Sequence, residues 1–120
     1  SLGVRKMIEH IHNKGHMLIL NDQRLSKGIS IPFFNHNALT APSAAELAIK
    51  YDLPLIPIFV TRKGWGNYKV IIHPEITLKQ EYTDRKTKIY AFLTQMNKVF
   101  ETHIEKYPHE WFWLHQRWKM

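Results

Sequence analysis

Three patterns along the chain predict an α/β fold. A long segment near its end has helical spacing, two short continuous apolar runs suit buried strands, and a second helical pattern lies between those runs. Val4, Met7, Ile8 and Ile11 stand at i, i+3, i+4 and i+7, and Asn13 with Gly15 supply a stop, which predicts a helix over roughly 3–13. Met17-Leu18-Ile19-Leu20 is too short for a helix and reads as a strand buried on both faces. Ile29 to Phe34 reads as a second strand, with Pro32 arguing for an edge or a strand end. Residues 35–42 read as a loop, after which Thr40 or a Ser43-x-x-Glu46 capping box starts a helix through Leu47, Ala48 and Tyr51. Leu53 to Val60, rich in proline and β-branched residues, reads as another buried strand. Gly64-Trp65-Gly66-Asn67 then turns the chain into Tyr68–Ile72, a hairpin closed by Pro74. From Asp84 to Tyr107, Ile89, Phe92, Leu93, Met96, Phe100 and Ile104 repeat at helical spacing, and Pro108 ends the helix. The expectation is a small four-stranded sheet with flanking helices.

The 120 residues amount to one domain or part of one. With 44% hydrophobic residues the chain can build a core, and with no cysteine it has no disulfide framework, thiolate metal site or cysteine nucleophile. Seventeen Lys plus Arg against ten Asp plus Glu give +7, which favours nucleic acid, an anionic membrane surface or a phosphorylated substrate. No apolar run has the roughly 20 residues of a membrane span, and no charged-then-apolar leader opens the chain. Because the chain begins with Ser1 and enters a helical pattern within a few residues, it reads as a piece of something longer.

In open α/β sheets ligands gather at the carboxyl ends of strands, which directs attention to the loops after Leu20 and Val60. Asp22 and Gln23 would position a hydroxyl or orient a basic residue, or else satisfy loop amides, and Gly28 would let the backbone approach a ligand, with Lys27 beside it. Arg62 suits bidentate binding of a phosphate or carboxylate, or is a solvated strand-end arginine. His10, His12 and His16 do not make a metal box: Gly15 breaks the helix between them, and no H-E-x-x-H pattern is present. The Trp-rich tail from Pro108 to Lys119 would stack on bases, sit at a membrane interface or fold back on the core with its basic tips outward.

Asp22-Gln23 through Gly28, Ile31-Pro32-Phe33-Phe34, Ala38-x-Thr40 and Leu47-Ala48 resemble, in order, motifs of the late acyltransferases of lipid A biosynthesis. The resemblance continues through Pro54, Pro57, Arg62, Tyr68, Pro74, Met96-Asn97 and Glu101 to Pro108-x-Glu110-Trp111-x-Trp113-x-His115-x-Arg117-Trp118-Lys119. It implies a glycerolphosphate-acyltransferase-like three-layer α/β fold, here as a partial domain: residues 1–120 would be the carboxy-terminal part, without the amino-terminal membrane helix. It also implies an acyltransferase of lauroyl or myristoyl type on the cytoplasmic face of the inner membrane. The donor would be an acyl-acyl carrier protein, and the acceptor a hydroxyl of a phosphorylated, Kdo-bearing lipid A precursor. No cofactor or metal is implied.

In that family an H-x-x-x-x-D/E motif carries the proton from the attacking hydroxyl. None of the eight histidines here has Asp or Glu five positions on, so the pair is expected upstream and the isolated chain is expected to be inactive. Carried over by position, Asp22, Gln23 and Arg62 would bind substrate, with Lys27, Gly28 and Arg117 as secondary contributors. Arg24, Asn35 and Gln116 depart from the family pattern, where an acidic residue, a glycine and an arginine are usual. The alternatives are a small basic nucleic-acid-binding module that stacks through its tail, and a non-catalytic scaffold that docks on membranes.

Overall fold

In the computed structural model, which describes residues 2–119, the longest element begins at a side-chain cap. Asp84 accepts hydrogen bonds from the Thr87 amide and hydroxyl at 2.9 and 2.7 Å, and helix α3 (Arg85–Lys106) follows. Its apolar stripe puts Ile89, Leu93, Met96 and Ile104 into the interior, as the spacing predicted. The helix walls two core clusters. Ile31, Ala45 and Ile76 pack against its first half, and Phe33 and Ala38 pack around Ile104.

Strands β1 (Arg24–Phe33) and β2 (His36–Thr40) form an antiparallel hairpin on α3. Residues 36–40, expected in a loop, are therefore a strand. Phe34 and Asn35 make its two-residue turn with φ of 49° and 60°, the left-handed pair that matches the twist of the flanking strands. Ala38 and Thr40 alternate with exposed or half-buried neighbours, so this strand has one inner face. Arg24 and Ile29 both lie opposite Thr40, and residues 25–28 bulge between them.

Helix α2 (Ser43–Tyr51) places Ala44, Ala45 and Ala48 inward, and their small side chains allow close packing. Pro42 occupies the cap position without a side-chain bond, so the expected Ser43 capping box does not form. Helix α1 (Leu2–His12) buries only Ile11. It ends where Lys14 turns left-handed and the Gly15 amide donates to the His10 carbonyl.

Strands β3 (Ile58–Gly64) and β4 (Asn67–Ile72) form the expected hairpin, closed by Gly64 and Gly66 at positive φ. Phe59 docks it on α3, stacked on His103 at 4.0 Å and edge-on to Phe100 at 5.7 Å.

The four strands form two separate two-stranded sheets, not the expected single sheet. Met17–Leu20 is not a strand: Leu18 and Leu20 are 86% and 83% exposed, and no ladder pairs the segment. The run from Leu53 becomes a strand only at Ile58, since Pro54 and Pro57 remove donors, and it too is open to solvent at Ile56, Ile58 and Val60. Among the described residues, no central strand joins the hairpins.

Candidate functional site

The motif residues gather in two places. The first is the interior between the β1–β2 hairpin, α3 and the tail. Thr40, fully buried, is its centre: its hydroxyl donates to the Ala38 carbonyl at 3.1 Å and accepts from Arg117 Nη2 at 2.9 Å and Asn97 Nδ2 at 3.4 Å. Asn97 Nδ2 also donates to the Pro32 carbonyl, and Arg117 Nη1 to the Leu39 carbonyl. Glu101 Oε1 accepts from the Phe34 amide at 2.7 Å, tying the hairpin turn to α3. Trp118 Nε1 donates to the Phe33 carbonyl, and its ring stacks on Phe33 at 5.5 Å.

The tail thus folds back as a layer of the core, one of the three readings open to it. Trp111 also packs on Phe33, while Trp113 stays half exposed. The expectation that its basic tips point outward fails at Arg117, which is wholly buried, with its guanidinium also 5.0 Å from the Phe33 ring. Burial pushes the Arg117 guanidinium down from its ordinary value, and the negative charge of Asp22 opposes the shift. Among the described residues, no hydrogen bond or ion pair joins Asp22 to Arg117. Gln23 is exposed at the foot of β1, and Arg117 is a support for the hairpin with no solvent-facing surface.

Gly28 does make a close backbone approach, but to protein. A side chain there would meet the Thr40 carbonyl oxygen at 2.6 Å and the Leu25 carbonyl oxygen at 2.9 Å. Lys27 is exposed in the same bulge.

The second place is a cleft of about 520 Å³ beside Arg62, lined by Val60, Arg62, Gly64, Tyr68, His109 and Glu110. The Arg62 amide on the outer edge of β3 donates to Glu110 Oε1 at 2.9 Å. Its guanidinium lies 5.8 Å from the Tyr68 ring, with Nη2 3.5 Å from the phenol oxygen. Glu110 is held below the ordinary carboxylate range by the neighbouring Thr61 hydroxyl, then by the Arg62 amide and the charge of His109. The His109 ring is 3.8 Å from the Glu110 carboxylate. Thr61 itself is buried, and among the described residues its hydroxyl has no well-formed hydrogen bond.

Glu110 is thus engaged by the strand edge, and among the described residues no carboxylate pairs with the Arg62 guanidinium. That fork is available to an anionic oxygen. Among the described residues, no hydrogen bond or ion pair joins Asp22 or Gln23 to Arg62, and the two loci belong to different sheets. Sequence reasoning missed the bond between Glu110 and the Arg62 amide, since 48 residues separate the two. The only signal was their common place in one ordered series of motifs.

Among the described residues, no helix is long and apolar enough to cross a membrane. Compared with families of known proteins, residues 1–120 match the model of the bacterial lipid A biosynthesis acyltransferases. No curated protein matches the chain.

Proposed function

The chain belongs to the bacterial lipid A biosynthesis acyltransferase family, and from that premise we propose that it forms the substrate-holding, carboxy-terminal part of an enzyme that acylates a phosphorylated lipid A precursor. The donor is an acyl-acyl carrier protein carrying a lauroyl, myristoyl or similar chain, and the acceptor is a hydroxyl of the Kdo-bearing precursor. The work takes place on the cytoplasmic face of the inner membrane. Arg62 binds a phosphate of the lipid, Tyr68 steadies the guanidinium, and Glu110 fixes the strand that carries it. The group that takes the acceptor's proton lies in an upstream segment, so the isolated chain binds and does not turn over.

One observation carries this reading: the Arg62 guanidinium, with no carboxylate partner among the described residues, stands at a cleft that the apolar side chain of Val60 also lines. A basic chain also suits an acidic carrier protein and an anionic bilayer.

The test is acylation of a lipid A precursor from acyl carrier protein by the full-length protein. The 120 residues alone give no turnover. Arg62→Gln in the full-length protein raises KM for the phosphorylated precursor roughly ten- to a hundredfold, the worth of a hydrogen bond to a charged group, and leaves KM for the carrier protein unchanged. Turnover by the isolated chain, or an unchanged KM in Arg62→Gln, overturns the assignment.

A further inference from the structure

Alternation along the β3–β4 hairpin turns Phe59 and Thr61 toward the protein and leaves a second face uncovered. On that face the ladder pairs are Ile58 with Ile72, Val60 with Val70, and Arg62 with Tyr68. Its five apolar or aromatic members are 46–67% exposed, and Trp65 at the turn is fully exposed. A protein surface in water rarely keeps so contiguous an apolar strip without a use for it. Over residues 58–72 the chain carries Arg62, Lys63 and Lys69 and no acidic residue. By the same alternation Lys69, opposite Thr61, belongs to the other face, so the strip is apolar along the strands and aromatic at its tip, with Arg62 on it and Lys63 beside the turn.

We propose that this face of the hairpin, led by Trp65, lies on an anionic phospholipid surface. The charge pattern selects this occupant: Arg62 on the strip and Lys63 near an exposed tryptophan, with no acidic residue over residues 58–72, match a negatively charged headgroup layer, where an indole sits at the boundary and cationic heads reach the phosphates. The inference rests on the reading that the acceptor is a lipid held in a bilayer, and it would deliver Arg62 at the level of the headgroups.

The test is cosedimentation of the chain with vesicles of phosphatidylglycerol mixed into phosphatidylcholine, beside vesicles of phosphatidylcholine alone. Binding is expected only to the anionic vesicles. Trp65→Ala, at a side chain buried against nothing, is expected to weaken binding about tenfold with an unchanged melting temperature. Lys63→Gln is expected to weaken it about fivefold and to flatten its salt dependence, and Lys69→Gln, on the opposite face, to weaken it less. Trp113→Phe, in the tail, is expected to leave binding unchanged. Equal binding to neutral vesicles, or undiminished binding by Trp65→Ala, overturns the proposal. So does a dimer in sedimentation equilibrium that Trp65→Ala dissolves, since the face would then belong to a second copy. The enzymatic reading fails separately: vesicle binding with no acylation leaves the docking surface standing, and a raised KM in Arg62→Gln with vesicle binding insensitive to Trp65 removes only the docking surface.

Discussion

Replacing Thr40 by valine keeps the shape of the side chain and removes the hydroxyl on which three segments converge. Asn97 would keep its bond to the Pro32 carbonyl and Arg117 its bond to the Leu39 carbonyl, but Arg117 Nη2 would join Nε as a buried donor without a partner. A hydrogen bond to a charged group contributes about 1.5–3 kcal/mol, and the weaker contacts at 3.1 and 3.4 Å add less. The expected loss is about 2–4 kcal/mol, large against the roughly 5–15 kcal/mol that holds a typical domain folded. Thr40→Ser keeps the hydroxyl and gives up one methyl group, for a loss of about 1 kcal/mol. In urea unfolding, with a slope of about 1–2 kcal/mol per molar for a protein of this size, Thr40→Val lowers the midpoint by at least about 1 M, and Thr40→Ser by less. A double-mutant cycle with Arg117→Met isolates the shared bond, and Thr40→Val should cost about 1.5–3 kcal/mol less in the Met background. The reasoning is refuted if Thr40→Ser is as damaging as Thr40→Val, or if the cycle shows no coupling.

Gly28→Ala should destabilise by about 2 kcal/mol or more, because its new methyl meets backbone oxygens that cannot move aside. Gly15→Ala should be milder in thermal melts, since the obstacle there is the exposed His10 ring, which swings away at the loss of its contact with the His16 carbonyl. Asn35→Ala should lower stability by about 1 kcal/mol in urea unfolding, and Asn35→Gly should not, because the turn holds that residue at φ 60°. The fold should also lose stability as the pH falls. His103 is held below the ordinary histidine value by burial and by His73, so its contribution is present above about pH 6.5 and fades as the pH drops through its lowered folded value. Asp84 and Glu110 are lowered as well, chiefly by the Thr87 and Thr61 hydroxyls, and add a further loss below the ordinary carboxylate range. Melting temperatures across pH 4–8 for the wild type and His103→Gln check this: the variant should lose the step near neutrality and keep the acid one.

What could be read from the residues followed how local the cause was. Helix α3 repeats its apolar stripe over six turns and carries its own cap, and the β3–β4 turn has two glycines where positive φ is needed, so both were legible. Strand β2 was not, because its turn uses Phe34 and Asn35 in place of glycine and its inner face holds a threonine, which reads as polar. The runs Met17–Leu20 and Leu53–Pro57 misled for the opposite reason. An apolar run reports that a segment suits burial, and it says nothing about whether a partner strand lies beside it. At the candidate site Arg62, expected at the end of a buried strand, instead lies within β3 beside Tyr68, and the carboxylate that holds its amide comes from a segment 48 residues on. Arg117 was singled out as a secondary contributor to substrate binding, yet it is wholly buried on Thr40 and the Leu39 carbonyl, a placement that charge alone argues against.

The return of the tail onto the β1–β2 hairpin has a consequence for how the molecule is made. Its bonds span 77, 78 and 85 residues, so the hairpin must wait while at least 77 further residues are made before Arg117 and Trp118 arrive to close its inner face. Until then Phe33 and Thr40 line an open, sticky surface, and a nascent chain stopped short of Arg117 would present that surface permanently. The tail motif thereby acts as a latch: a chain released before Arg117 should be soluble only with a chaperone, and extending it through Trp118 should restore the fold.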